Sequence, residues 1–129
     1  PAALFDRLPQ RFGRSALLRE FPRERALRIL SRLTPQASDG SDLPDVVHTL
    51  KQFFRDADGF GAIERLDSTD GLRIWFSNGD IAHLRPSGNA DEFRIYAVAD
   101  TQQRADEIAA LGVREPDGIL RRLEKELDV

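Results

Sequence analysis

The chain has 129 residues, of which 40% are hydrophobic and 32% charged, with a net charge of -3 and no cysteine. That length fits one domain, which buries roughly two-thirds of its unfolded surface. The acidic balance weighs against nucleic acid as a partner, no apolar run approaches the ~20 residues of a membrane span, and disulfides, thiolate chemistry and cysteine-bound metal are excluded. No signal-peptide pattern follows Pro1, so the expectation is a cytoplasmic protein without a membrane partner.

Residues 1–9 read as a short helical remnant with Leu4, Phe5 and Leu8 on one side, closed by Pro9. They are taken as the tail of a preceding unit or a linker, and 10–129 as the domain proper. Arg11 to Phe21 lacks a helical period and contains Gly13, so it is extended, with an edge strand near Ser15 to Arg19. Pro22 suits a first helical turn. Ala26, Leu27, Leu30 and Leu33 then give an amphipathic helix over 22–33. A loop rich in Ser, Asp and Gly leads to a second helix from Pro44, with Asp42 as its cap and Val46, Val47, Leu50, Phe53 and Phe54 buried.

From Gly59 the period changes to that of strands. Ala62 to Leu66, Leu72 to Phe76, Ile81 to Arg85 and Phe93 to Ala99 are the candidates. Asn78-Gly79 between two of them predicts a two-residue hairpin turn. That register pairs Phe76 with Ile81, and sets Leu72 on the face of Arg85. Asp100-Thr101-Gln102-Gln103 opens a helix as a capping box, Ala105, Ile108 and Ala109 line it, and Gly112 ends it. Ile119, Leu120, Leu123 and Leu127 mark a final helix. Helices, a strand meander, then helices again predict an α+β fold: an antiparallel sheet of about four strands with helices on one face.

The loop from Leu84 to Glu92 reads LRPSGNADE. Arg85 offers a planar fork for two oxygens of a phosphate. Ser87 and Asn89 add polar side chains, Pro86 fixes one φ, and Gly88 permits φ > 0. Successive amides in such a turn can form an anion nest. The same residue types also make an ordinary polar strand connection, with Arg85 paired to Asp91 or Glu92.

Other candidates carry blander readings. Arg94 can reach the same anion or make a structural salt bridge, and the salt bridge is the reading taken. His83, two residues before Arg85, is read as a partly buried sheet histidine, and His48 as an exposed helical one. Two distant histidines make no metal site. Asp56-Ala57-Asp58-Gly59 lacks the further oxygen ligands a hard cation needs, and is read as a helix end.

The run Arg85 to Asp100, RPSGNADEFRIYAVAD, resembles the phosphate-binding loop and following strand of the α-D-phosphohexomutases. The similarity extends upstream through Asp70-Gly71-Leu72-Arg73-Ile74 and Asn78-Gly79-Asp80, and downstream to Thr101. It also takes in RFGRSALLREFPRERA at Arg11 to Ala26. The family more often has Thr-Glu-Pro where this chain has Asn89-Ala90-Asp91, and a strand glutamate where Val98 stands. The loop is then less restricted, and Asn89 replaces a threonine hydroxyl.

The resemblance implies a C-terminal domain of TATA-box-binding-protein-like character, with Arg85, Ser87, Gly88 and Asn89 holding the phosphate of a hexose phosphate. The family's phosphoserine loop, magnesium loop and sugar-reading loop are not found in the sequence. The chemistry, the magnesium and any catalytic residue are therefore expected in other domains of a parent enzyme, the chain alone being inactive. A phosphomannomutase is the leading reading, with a phosphoglucosamine or phosphoglucose mutase second. The rival class is a non-catalytic α+β module that binds protein.

Overall fold

The computed structural model describes residues 11–127. The helical remnant expected over 1–9 lies outside them. Five strands form one antiparallel sheet: β1 (Phe12–Arg19), β2 (Ile63–Asp67), β3 (Leu72–Phe76), β4 (Ile81–Pro86) and β5 (Glu92–Ala99). Their order across the sheet is β1-β5-β4-β3-β2. The last four strands are thus a simple meander. The first pairs on the free edge of β5, which completes a sheet of one strand more than the alternating segments indicate.

Four helices accompany the sheet: α1 (Arg23–Arg32), α2 (Leu43–Lys51), α3 (Gln102–Val113) and α4 (Ile119–Leu127). Helix α3 lies along β1 and β5, while α1 packs on α4 and reaches β4. The helices cover one face only among the described residues. On that face Leu72, Ile74, Phe76, Ala82, Leu84, Phe93, Ile95, Ala97 and Ala99 are buried. Phe21 meets Phe93 edge-on at 5.0 Å, and Phe54, Phe60 and Phe76 cluster within 5.7 Å. Each such side chain contributes ~1.5–3 kcal/mol when fully buried. No helix among the described residues is long and apolar enough to cross a membrane.

The β3–β4 hairpin corrects the expected register. Phe76 N–H donates to Asp80 C=O, and Gly79 N–H to Phe76 C=O, with Gly79 at φ 93. The loop is therefore three residues, closed by a left-handed glycine, rather than two. Leu72 faces Leu84, Ile74 faces Ala82 and Trp75 faces Ile81. The single-residue shift turns every side chain over. Leu72 and Leu84 go into the core, and Arg85 goes to the helix-free face without Leu72.

Smaller corrections follow the same logic. Ile29 fills the core position expected of Leu27, which is exposed. Asp42 starts α2 but makes no side-chain cap. Its carboxylate accepts from the Gln36 and Ala37 amides instead. Thr101 is the cap of α3, accepting from Arg104 N–H at 3.1 Å, so Gln103 takes no part in a capping box. Gly112 is within α3, where a Cβ would come 2.8 Å from the Ile95 side chain. It permits helix-on-sheet contact rather than ending the helix.

Candidate functional site

Alternation along β4 and β5 decides what faces the helix-free side. Residues in direct cross-strand register share a face. The pairs here are Ile81 with Val98, His83 with Tyr96, and Arg85 with Arg94. Two guanidiniums are thus set directly opposite each other on adjacent strands. Like charges in that relation destabilise a sheet.

Beyond them lies the loop. Its base is closed by Ser87 N–H donating to Glu92 C=O at 3.0 Å, and Phe21 N–H donates to Asp91 C=O at 3.0 Å. Ser87 is buried, and its carbonyl accepts from Arg23 Nε at 3.0 Å. The amides of Gly88, Asn89 and Ala90 have no partner among the described residues. Arg85, Pro86, Ser87, Gly88, Asn89, Arg94 and Tyr96 together line a cleft of about 190 Å³.

All four residues singled out in the loop therefore line one cleft, but two details differ from expectation. Gly88 does not adopt positive φ; the glycines that do are 40, 59, 71 and 79. A Cβ at Gly88 would meet nothing within 4 Å. Neither conformation nor packing requires a glycine there, and the position is open on the cleft side. Arg85 pairs with neither Asp91 nor Glu92. Its Nε lies 3.3 Å from Asp70 Oδ2, its guanidinium sits 5.9 Å from the Tyr96 ring centre, and its two Nη nitrogens are without a partner among the described residues.

Arg94 was legible as a salt-bridge residue and is one: its Nη2 is 3.3 Å from Glu92 Oε1. It is also the cleft residue that strand alternation, taken with the correct register, would have identified. Its Nε is buried without a hydrogen-bond partner among the described residues. The Tyr96 hydroxyl, and then Glu92, hold its pKa above the ordinary arginine value. The group is cationic at any physiological pH.

His83 is buried, and both ring nitrogens are engaged. Nε2 is 2.5 Å from the Asp70 carbonyl, so it must donate, leaving Nδ1 to accept from Arg73 Nη2 at 3.4 Å. That arrangement holds the peptide carrying Asp70 next to Arg85 and leaves no nitrogen for proton transfer. Asp67, Thr69, Asp70, Arg73 and His83 line a neighbouring cleft of about 240 Å³. At the other end of the molecule Asp56 pairs with Lys51 at 2.7 Å and Asp58 with Arg55 at 3.0 Å. Gly59 at φ 91 closes that turn. His48 is exposed on α2.

The cleft thus brings together two opposed cations, amides without a partner among the described residues, and open room at a glycine, a set chemically suited to an anion. Ser87 and Tyr96 bring hydroxyls to it, and among the described residues no carboxylate or imidazole lines it. The fold and this loop define an α+β domain with an arginine-lined cleft at a strand connection. Two curated proteins share its sequence in part, and both are named phosphomannomutase. One, from Sinorhizobium fredii, is 45% identical over 53 residues, covering 41% of this chain and 11% of that protein. The other, from Salmonella muenchen, is 62% identical over 39 residues, covering 30% of this chain and 8% of that protein. The chain thus matches about a tenth of the length of these relatives. No family profile matches it. The similarity to phosphomannomutases agrees with the phosphohexomutase resemblance of the loop.

Proposed function

We propose that the chain is the C-terminal phosphate-binding domain of a phosphohexomutase of the phosphomannomutase type. Arg85 and Arg94 grip the non-reacting phosphate of a hexose phosphate from two sides. The Gly88 and Asn89 amides and the Ser87 and Asn89 side chains complete the cradle. The observation that carries this reading is the direct opposition of Arg85 and Arg94 beside a loop whose amides at 88–90 have no partner among the described residues. A bound dianion converts that repulsion into two attractions.

In the parent enzyme, other domains supply a phosphoserine, its magnesium and the sugar contacts. The phosphoryl group moves between C1 and C6 through a bisphosphorylated intermediate that reorients. This domain closes over the site and spends the remote phosphate's binding energy on positioning. On this reading the chain alone has no mutase activity, because the family's phosphoserine loop and magnesium loop are not found in its sequence.

The test is Arg85→Ala in the full-length polypeptide. Losing one partner of a charged pair buried on closure costs ~2–5 kcal/mol, which is a fall in kcat/KM of about thirtyfold or more. Arg65→Ala is the control, since Arg65 lies over Trp75 on β2, away from the cleft. A kcat/KM for Arg85→Ala within a factor of two of wild type would falsify the proposal.

A further inference from the structure

The loop is braced from behind by the segment that starts α1. Phe21 N–H holds the Asp91 carbonyl, and Arg23 Nε holds the Ser87 carbonyl, each at 3.0 Å. The first contact is backbone to backbone. The second is made by a side chain 64 residues away in sequence, on the first residue of α1.

Its consequence follows from the planarity of the peptide unit. In a trans peptide the C=O and the next N–H point in opposite directions. The Ser87 carbonyl is turned toward Arg23, on the side of the helical layer. The Gly88 N–H is therefore turned away from that layer, toward the side on which Arg85, Arg94 and Tyr96 project. That is the side of the cleft, which Gly88 itself lines. The Gly88 amide has no partner among the described residues. Without Arg23, nothing else among those residues bonds the Ser87 carbonyl, and the peptide could rotate to face water either way.

We propose that Arg23 is a positioning residue for the phosphate cradle: by holding the Ser87 carbonyl it aims the Gly88 N–H at the anion. Arg23 touches no ligand in this account and acts through one peptide plane. The inference deepens the phosphate reading above and rests on it.

The chemistry of the side chain supplies a clean test. Glutamine carries an N–H donor the same number of bonds from Cα as arginine Nε, but no charge. Lysine keeps the charge and has a methylene at that position. Inorganic phosphate is titrated into the ¹⁵N-labelled chain at constant ionic strength, and the Gly88 amide shift gives Kd for wild type and for Arg23→Ala, Arg23→Gln and Arg23→Lys. The expected result is a Kd between about twofold and tenfold weaker for Arg23→Ala and Arg23→Lys, the range for one lost hydrogen bond. Arg23→Gln should stay within twofold of wild type, with the Gly88 resonance at its wild-type free position.

Rescue by Lys but not by Gln would show that Arg23 acts through charge alone, and would overturn the proposal. So would an Arg23→Ala variant that binds as wild type does. If wild-type Gly88 does not respond to phosphate at all, the phosphate reading beneath fails too, and this inference with it.

Discussion

Replacing Arg85 by alanine should leave the isolated chain about as stable in chloride, yet deprive it of most of its stabilisation by phosphate. In chloride two small effects oppose each other. The variant loses its exposed ion pair with Asp70, at 3.3 Å, with 44% and 64% of the two side chains accessible. Pairs that exposed are worth ~0–1 kcal/mol. It also loses the cross-strand opposition to Arg94, a relation that costs ~0.2–1 kcal/mol. The net change should lie within about 0.5 kcal/mol, or less than ~3 °C in Tm for a domain of this size. Phosphate acts differently. With the cleft open to water, screening leaves a Kd near ~1 mM, equivalent to about 4 kcal/mol of binding. At ~100 mM phosphate that stabilises wild type by about 2.7 kcal/mol. Exclusion of phosphate from the surface raises both melts alike, so the variant measures that shared part. Differential scanning calorimetry in chloride and in phosphate should give wild type an extra gain of about 5–10 °C. Equal gains for the two proteins would mean that phosphate acts on this fold only as a bulk salt, and the cradle would have to be abandoned.

Three further outcomes probe the scaffold. Gly71→Ala should cost more than about 2 kcal/mol in urea, because φ is 68 and a Cβ would sit 2.1 Å from the Leu84 carbonyl oxygen, a backbone atom that cannot step aside; a change under 0.5 kcal/mol would disprove the turn geometry that places Asp70. Asp80→Ala should cost about 1.5–3 kcal/mol by the same assay, since it takes a charged hydrogen-bond partner from Arg104 Nε, 3.0 Å away in a pair with 17% and 5% of its side chains accessible, while Arg104 keeps Glu107 and the Asp58 carbonyl, and a neutral result would show the pair to be dispensable. The Asp67 carboxylate is held below its ordinary value of 3.8, chiefly by the Thr69 amide, so its contribution is present above that pH and is lost as pH falls through the lower folded value; Asp67→Asn should flatten stability against pH below about 4, and an unchanged acid limb would contradict the assignment.

Much of this arrangement is legible in the chain, and the failures have physical causes. Apolar spacing locates α1, α2, α3 and α4, and alternation locates β2 to β5. The Asn78-Gly79 pair marks the hairpin, but dipeptide chemistry does not count loop residues. Two- and three-residue loops both place a glycine in the left-handed region, and they differ by a flip of every following side chain. That flip separates Leu72 from Arg85. It also determines which residues sit with Arg85 on the helix-free face. Membership of Arg94 in the cleft depends on cross-strand register with β4, which no local pattern encodes. The loop itself was legible as Arg, Ser, Gly and Asn between two strands. Its brace at Arg23 was not, since a contact over 64 positions leaves no trace in either segment. Gly88 suggests backbone freedom in the sequence, whereas its φ is not positive and a Cβ there would meet nothing within 4 Å.

The most direct test of the cradle is a residue-by-residue map of where a hexose phosphate lands on the ¹⁵N-labelled chain, with mannose and inorganic phosphate as separate arms at constant ionic strength. Phosphate and hexose phosphate should both move the amides of 85–90 and the Arg85 and Arg94 side-chain Nε signals, with mannose alone moving none of them. The shifts should spare the opposite end of the sheet around Asp58, Asp80 and Arg104. Shifts centred on that opposite end, or an unmoved loop at ~20 mM of either phosphate compound, well above the expected Kd, would contradict the claim that residues 85–89 and Arg94 form a phosphate site.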